Sequence, residues 1–228
     1  MQGSKKHLID TQNDVMQALS DALRERFPCC EKLVGKATYS RMLNKFISSI
    51  DKPPKTPNIT LITNFMEYVR NYPSMMKFPQ ADNIMAFEDA LELIEKGPNN
   101  TPLDYVNMAR AITESTEAIV FHPPKGSILL SCDFPIIDIY IAIKSEKNLH
   151  KQKFQKPREY KILVWKEEGQ VNFEYLKNDE YVLLDMIQAP RPFLSVYGQY
   201  IEKNTRTNID DLLPELCKKG YINHYSLP

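Results

Sequence analysis

The densest run of reactive side chains lies between residues 144 and 161, where Lys144, Lys147, His150, Lys151, Lys153, Lys156, Arg158 and Lys161 face only Glu146 and Glu159. Cations at that density grip phosphates or an acidic peptide, and a solvated loop has the same composition. The histidines, His7, His122, His150 and His224, are scattered and form no His-Glu-x-x-His pair. Each reads as a surface or hydrogen-bonded core residue. Cys29 and Cys30 are adjacent, Cys132 and Cys217 lie far away, and no metal-ligand spacing or close-set disulfide framework results. Free, partly buried thiols are expected.

Other chemistries find no residues to carry them. There is no Gly-x-Gly-x-x-Gly, no phosphate-binding Gly-Lys-Ser/Thr loop and no Gly-x-Ser-x-Gly, and the chain has only seven glycines. The acid pair Glu167-Glu168 falls in a turn and reads as solvent-facing charge. The expectation is a protein with no catalytic residues, no metal and no cofactor of its own.

Bulk composition narrows the class. The 228 residues are 43% hydrophobic and 25% charged, enough apolar material for a core in one or two compact units. Lysine plus arginine equals aspartate plus glutamate at 29 each, so no global field draws the chain to nucleic acid or an anionic membrane. Apolar runs such as Ile136 to Ile143 stop far short of the roughly 20 residues that span a bilayer. The first residues lack a secretory signal pattern, which points to a cytoplasmic protein.

Helical spacing fills the first hundred residues. Val15, Met16, Leu19, Ala22 and Leu23 make one apolar stripe, closed by Phe27-Pro28, and Tyr39, Met42, Leu43, Phe46, Ile47 and Ile50 make another. Pro53, Pro54 and Pro57 interrupt the pattern by removing donors. Leu61 to Val69 and Ile84 to Ile94 then read as two further helices, the last ending at Gly97-Pro98. Together they predict a small helical bundle over residues 1–98. Thr101-Pro102-Leu103-Asp104 predicts a capped helix running to about Val120, bridging two parts.

Residues 101–228 have a mixed texture. Ser127 to Cys132 predicts a short strand, and Asp133 to Ile143 suits a helix start more than extended chain. Tyr160 to Leu176 predicts a hairpin: Val171, Phe173 and Tyr175 alternate with Asn172 and Glu174, and Gly169 supplies the turn. Three helices follow, over Tyr181 to Ile187, Phe193 to Ile201 and Asp210 to Lys219, with Pro214 expected in the first turn of the last and Gly220 at its end. The fold class is therefore α+β: a helical N-terminal domain, then a mixed domain with a β-hairpin and several helices.

The stretch from Ala22 to Tyr39, with its Phe27-Pro28 and Leu33-Val34-Gly35, together with Phe46, Pro53-Pro54, Phe65 and Ala86-Phe87-Glu88-Asp89-Ala90, resembles the HvfC-like family. Ser131 to Ile143, Ile162 to Trp165 and Leu212 to Tyr221 extend the likeness over nearly the whole chain, through packing and turn residues. That family is also catalogued under a DNA-binding label. Its members are commonly encoded beside multinuclear iron oxidases that modify cysteines of a small precursor peptide. The resemblance implies a non-catalytic partner that recruits the peptide to the oxidase, with the iron held by the oxidase.

On that reading Ile162, Leu163, Val164 and Trp165 are expected to dock the peptide by β-augmentation, and Lys144, Lys147, Lys151, Lys153, Lys156, Arg158 and Lys161 to form a basic rim. The alternative is a transcription regulator whose C-terminal helices and hairpin approach DNA like a winged helix, with the same basic residues on phosphates.

Overall fold

The computed structural model describes residues 2–115, 118–147, 157–203 and 205–227, with side chains described from residue 13 onward except for Ser115. The fold is α+β. Contacts divide it into two compact units, one formed by residues 1–89 and 133–157, the other by residues 90–132 and 158–228. Neither unit is a continuous stretch of chain, unlike the expected cut between residues 98 and 101. The boundary falls inside a helix, and one segment from beyond residue 130 joins the N-terminal helices.

The first unit is helical. It comprises α1 (Gln2–Arg26), α2 (Pro28–Val34), α3 (Lys36–Ser48), α4 (Ile59–Arg70), a 3₁₀ turn (Pro73–Lys77), the first half of α5 (Ala81–Lys96) and α7 (Ile136–Lys144). Phe65 centres the core, its ring 6.0 Å from Phe27, 6.1 Å from Tyr39 and 5.1 Å from Phe46. Asn58 caps α4 by accepting from the N–H of Leu61 at 2.9 Å. Phe27-Pro28 closes the first helix as expected, α1 ending at Arg26, and Pro28 also opens α2: a missing N–H does no harm at the first position of a new helix.

Within the segment expected to be helical, α7 covers Ile136–Lys144, with Ile136, Ile137, Ile139 and Ile143 buried. The β preference of isoleucine is weak, and burial against α2 overrides it.

The second unit is mixed. A three-stranded antiparallel sheet has the order β2 (Ile128–Cys132), β3 (Tyr160–Glu167), β4 (Gln170–Leu176), and a separate pair joins β1 (Val120–His122) to β5 (His224–Ser226). Around them lie α6 (Tyr105–Ser115), α8 (Asn178–Gln188), α9 (Phe193–Glu202) and α10 (Ile209–Lys218). Leu163 and Trp165 from the sheet share a core with Leu183, Leu184 and Ile187 of α8, Val196 and Tyr200 of α9, and Leu212 and Leu216 of α10.

Two expected helix boundaries are corrected. The helix expected from Thr101 begins at Tyr105, because Asp104 is the better cap, its Oδ1 accepting from the N–H groups of Val106 and Asn107 at 3.1 Å each. Pro214 lies inside α10 and not in its first turn. Pro214 and Asp210, whose carbonyl it leaves without an N–H, are both exposed, so water can take the missing partner's place. At the end of α10, Gly220 takes a φ of 72° and Ile222 is fully buried beyond it, the expected glycine cap with its apolar contact.

Candidate functional site

The hairpin turn fixes which strand has a free side. Glu168 and Gly169 both have positive φ, 49° and 79°, the two-residue turn whose twist matches the flanking strands. Asn99 and Asn100 hold it from outside: Asn99 Oδ1 accepts from Gly169 N–H at 2.6 Å, and Glu168 N–H donates to the Asn100 carbonyl at 3.2 Å. Such a turn makes Glu167 and Gln170 a doubly hydrogen-bonded pair, so Gln170, Asn172 and Glu174 face β3 with their backbone groups. Val171 and every second residue after it turn theirs away.

This overturns the expected docking strand. Ile162, Leu163, Val164 and Trp165 sit on β3, which pairs with β2 on one side, Leu163 opposite Leu129, and with β4 on the other, Leu163 opposite Glu174. All four are buried on both faces of the sheet. Apolarity on both faces marked a central strand, and a central strand has no edge to offer. Among the described residues no strand pairs with the outer side of β4.

The basic run divides between the units. Lys144 and Lys147 belong to the first: Lys144 closes α7 with its ammonium 5.4 Å from the centre of the Tyr140 ring, and Lys147 is exposed. Arg158 and Lys161 belong to the second, Arg158 over the Tyr160 ring at 4.9 Å and Lys161 over the Tyr181 ring at 4.2 Å while ion-paired with Glu159. Lys151, Lys153 and Lys156 lie outside the described residues.

A buried carboxylate with neighbouring thiols occupies the first unit. Phe27 provides no side-chain cap for α2, and Glu88 of α5 supplies one: Cys29 N–H donates to its Oε1 at 2.6 Å and Cys30 N–H to its Oε2 at 3.1 Å. Glu88 is 5% exposed, and this burial pushes its carboxyl up to about 7 against the opposing pull of the two N–H groups, the Cys29 thiol and the Lys144 charge.

Burial, reinforced by Glu88, pushes the Cys29 thiol up to about 12 and raises Cys30 as well. Burial alone pushes Cys217 up to about 12. Since the thiolate is the nucleophile and the ligand, these sulfurs are inert at neutral pH. In the sequence Glu88 stands out only through the family likeness. A glutamate amid apolar helix neighbours was the available signal, and its partner 59 positions away was not legible.

The second unit has two comparable polar anchors. Asn100 is buried, donates from Nδ2 to the carbonyls of Lys125 and Lys166 at 3.1 and 2.9 Å, and accepts from Lys125 N–H at 2.8 Å. Glu180, 1% exposed, accepts from Lys177 N–H at 2.7 Å and from the Lys219 ammonium at 2.7 Å. Asn100 is occupied in holding backbone, and Glu180 is shared between the Lys177 N–H and the Lys219 ammonium, so both arrangements tie the structure together. Among the described residues no three His, Cys, Asp or Glu side chains are grouped to hold a metal, and no helix is long and apolar enough to cross a membrane. No protein-family model matches the chain, and no curated protein matches it.

Proposed function

We propose that this chain is a cytoplasmic binding subunit that holds an extended precursor peptide as an added strand on the outer side of β4 and brings it to a multinuclear iron oxidase. The observation that carries the reading is the hairpin: a buried central strand that fixes the sheet, and an outer strand of seven residues, Gln170–Leu176, at its edge. Main-chain hydrogen bonds to such an edge give affinity, and side-chain alternation gives specificity. The role in peptide modification comes from the family likeness of Phe27-Pro28, Leu33-Val34-Gly35 and Ala86 to Ala90. The buried, hydrogen-bonded carboxyl groups of Glu88 and Glu180 and the buried thiols fit a chain that leaves the chemistry to its partner. The DNA reading draws less support, since the basic residues that are described divide between two units and Lys161 is already paired with Glu159.

The test uses a synthetic, extended cysteine-containing peptide carrying a fluorophore, titrated by anisotropy. Val171→Pro removes one outward N–H without touching the β3 ladder, since proline is tolerated on the free side of an edge strand. Losing one main-chain bond should weaken binding by about tenfold, and Val171→Thr should bind like the wild type. Unchanged affinity in the proline variant, with an unchanged circular-dichroism spectrum, would remove β4 as the docking edge.

A further inference from the structure

The β1–β5 pair carries a feature that neither peptide docking nor the core uses. Its strands are three residues each, and their alternation turns Phe121 and Tyr225 inward to the core of the second unit while His122 and His224 stand on the opposite face. His122 and His224 are direct cross-strand partners, with ring centres 5.4 Å apart and ring planes inclined by 31°. Ser226, two residues beyond His224 on the same face, places its Oγ 3.0 Å from His122 Nε2. His224 is exposed and His122 partly so, which leaves the pair open to solvent.

Two imidazoles that share one ion, with metal–nitrogen bonds of roughly 2.1 Å at about the tetrahedral angle, hold their ring centres on the order of 5 Å apart. The observed separation matches that spacing. We propose that His122 and His224 form a bidentate site for a divalent transition-metal ion, with the Ser226 hydroxyl and water completing its coordination. Imidazole nitrogen selects Cu²⁺, Ni²⁺ and Zn²⁺ over Mg²⁺ and Ca²⁺, and binding strength should follow the order in which Cu²⁺ leads.

No third His, Cys, Asp or Glu joins the pair among the described residues, so the site is exchangeable and its ion labile. Both ligands must be neutral. The ion would clasp β5 to β1, stiffening the strand pair.

Untagged full-length protein, titrated with Ni²⁺ and with Zn²⁺ at neutral pH against a metallochromic indicator, should show one saturable site. His224→Gln changes an exposed side chain and should weaken that site on the order of 100-fold, because the second ligand no longer benefits from being held beside the first. His122→Gln should do the same, while His7→Gln and His150→Gln should change nothing. Bound Cu²⁺ should show electron-paramagnetic-resonance splitting from two nitrogens in the wild type and one in His224→Gln. Saturating Zn²⁺ should slow amide exchange at Tyr225 and Ser226 in the wild type alone. Equal affinity in wild type and His224→Gln, or no saturation up to millimolar metal, would overturn the assignment.

Discussion

Replacing Glu88 by glutamine should change how stability depends on pH more than stability itself. In the folded protein the Glu88 carboxyl titrates at about 7 against an ordinary value of 4.5, because burial outweighs the N–H groups of Cys29 and Cys30, the Cys29 thiol and Lys144. Between those two values the folded state binds the proton more tightly than the unfolded chain. Stability linked to this group is therefore full below the lower value and falls as pH rises through the upper one. A difference of about 2.5 pKa units corresponds to roughly 3 kcal/mol, most of it lost between about pH 5 and pH 8.

Glutamine keeps the shape and one acceptor for the α2 N–H groups but has no proton to lose. Urea unfolding followed by helical circular dichroism at several pH values should give a wild-type curve that falls relative to the Glu88→Gln curve by roughly that amount. All other groups titrate in both proteins, so the difference isolates Glu88. Parallel curves across the range would refute the claim that this buried carboxyl is held protonated near neutrality.

Glu88→Ala should cost more, about 2–4 kcal/mol at any pH, because two buried N–H groups lose their acceptor; thermal melts would show it. Asn100→Ala strips partners from three backbone groups that join the Lys125 loop to β3, and a loss of roughly 2–4 kcal/mol in urea titrations is expected. Gly220→Ala forces a side chain into a φ of 72° and to 2.9 Å from the Glu167 carboxylate, which should lower stability by about 1–2 kcal/mol. The four buried thiols should react with an aromatic disulfide reagent only slowly in the native protein and fully once it is unfolded. Any duplex binding should show no steep fall with salt, since released counterions would be few.

The sequence by itself determined the elements and the class of fold. Apolar spacing at three and four residues located the bundle helices, because a helix repeats its buried face at that period whatever it packs against. Alternation about Gly169 located the hairpin for the same reason at a period of two. The Asp104 cap and the place of Pro214 were misjudged by a few residues, since several neighbouring side chains compete for each terminus.

Tertiary structure alone decided what those elements do. Whether Ile162 to Trp165 lay at an edge or at the centre depended on β2, some thirty residues earlier, pairing along its other side. The partner of Glu88 lay 59 positions away, the division of the lysine run depended on α7 joining the N-terminal helices, and His122 met His224 across strands more than a hundred residues apart in the chain. Periodicity reports which face of an element avoids water, whereas chemistry depends on which faces meet, and that is fixed only when the core closes.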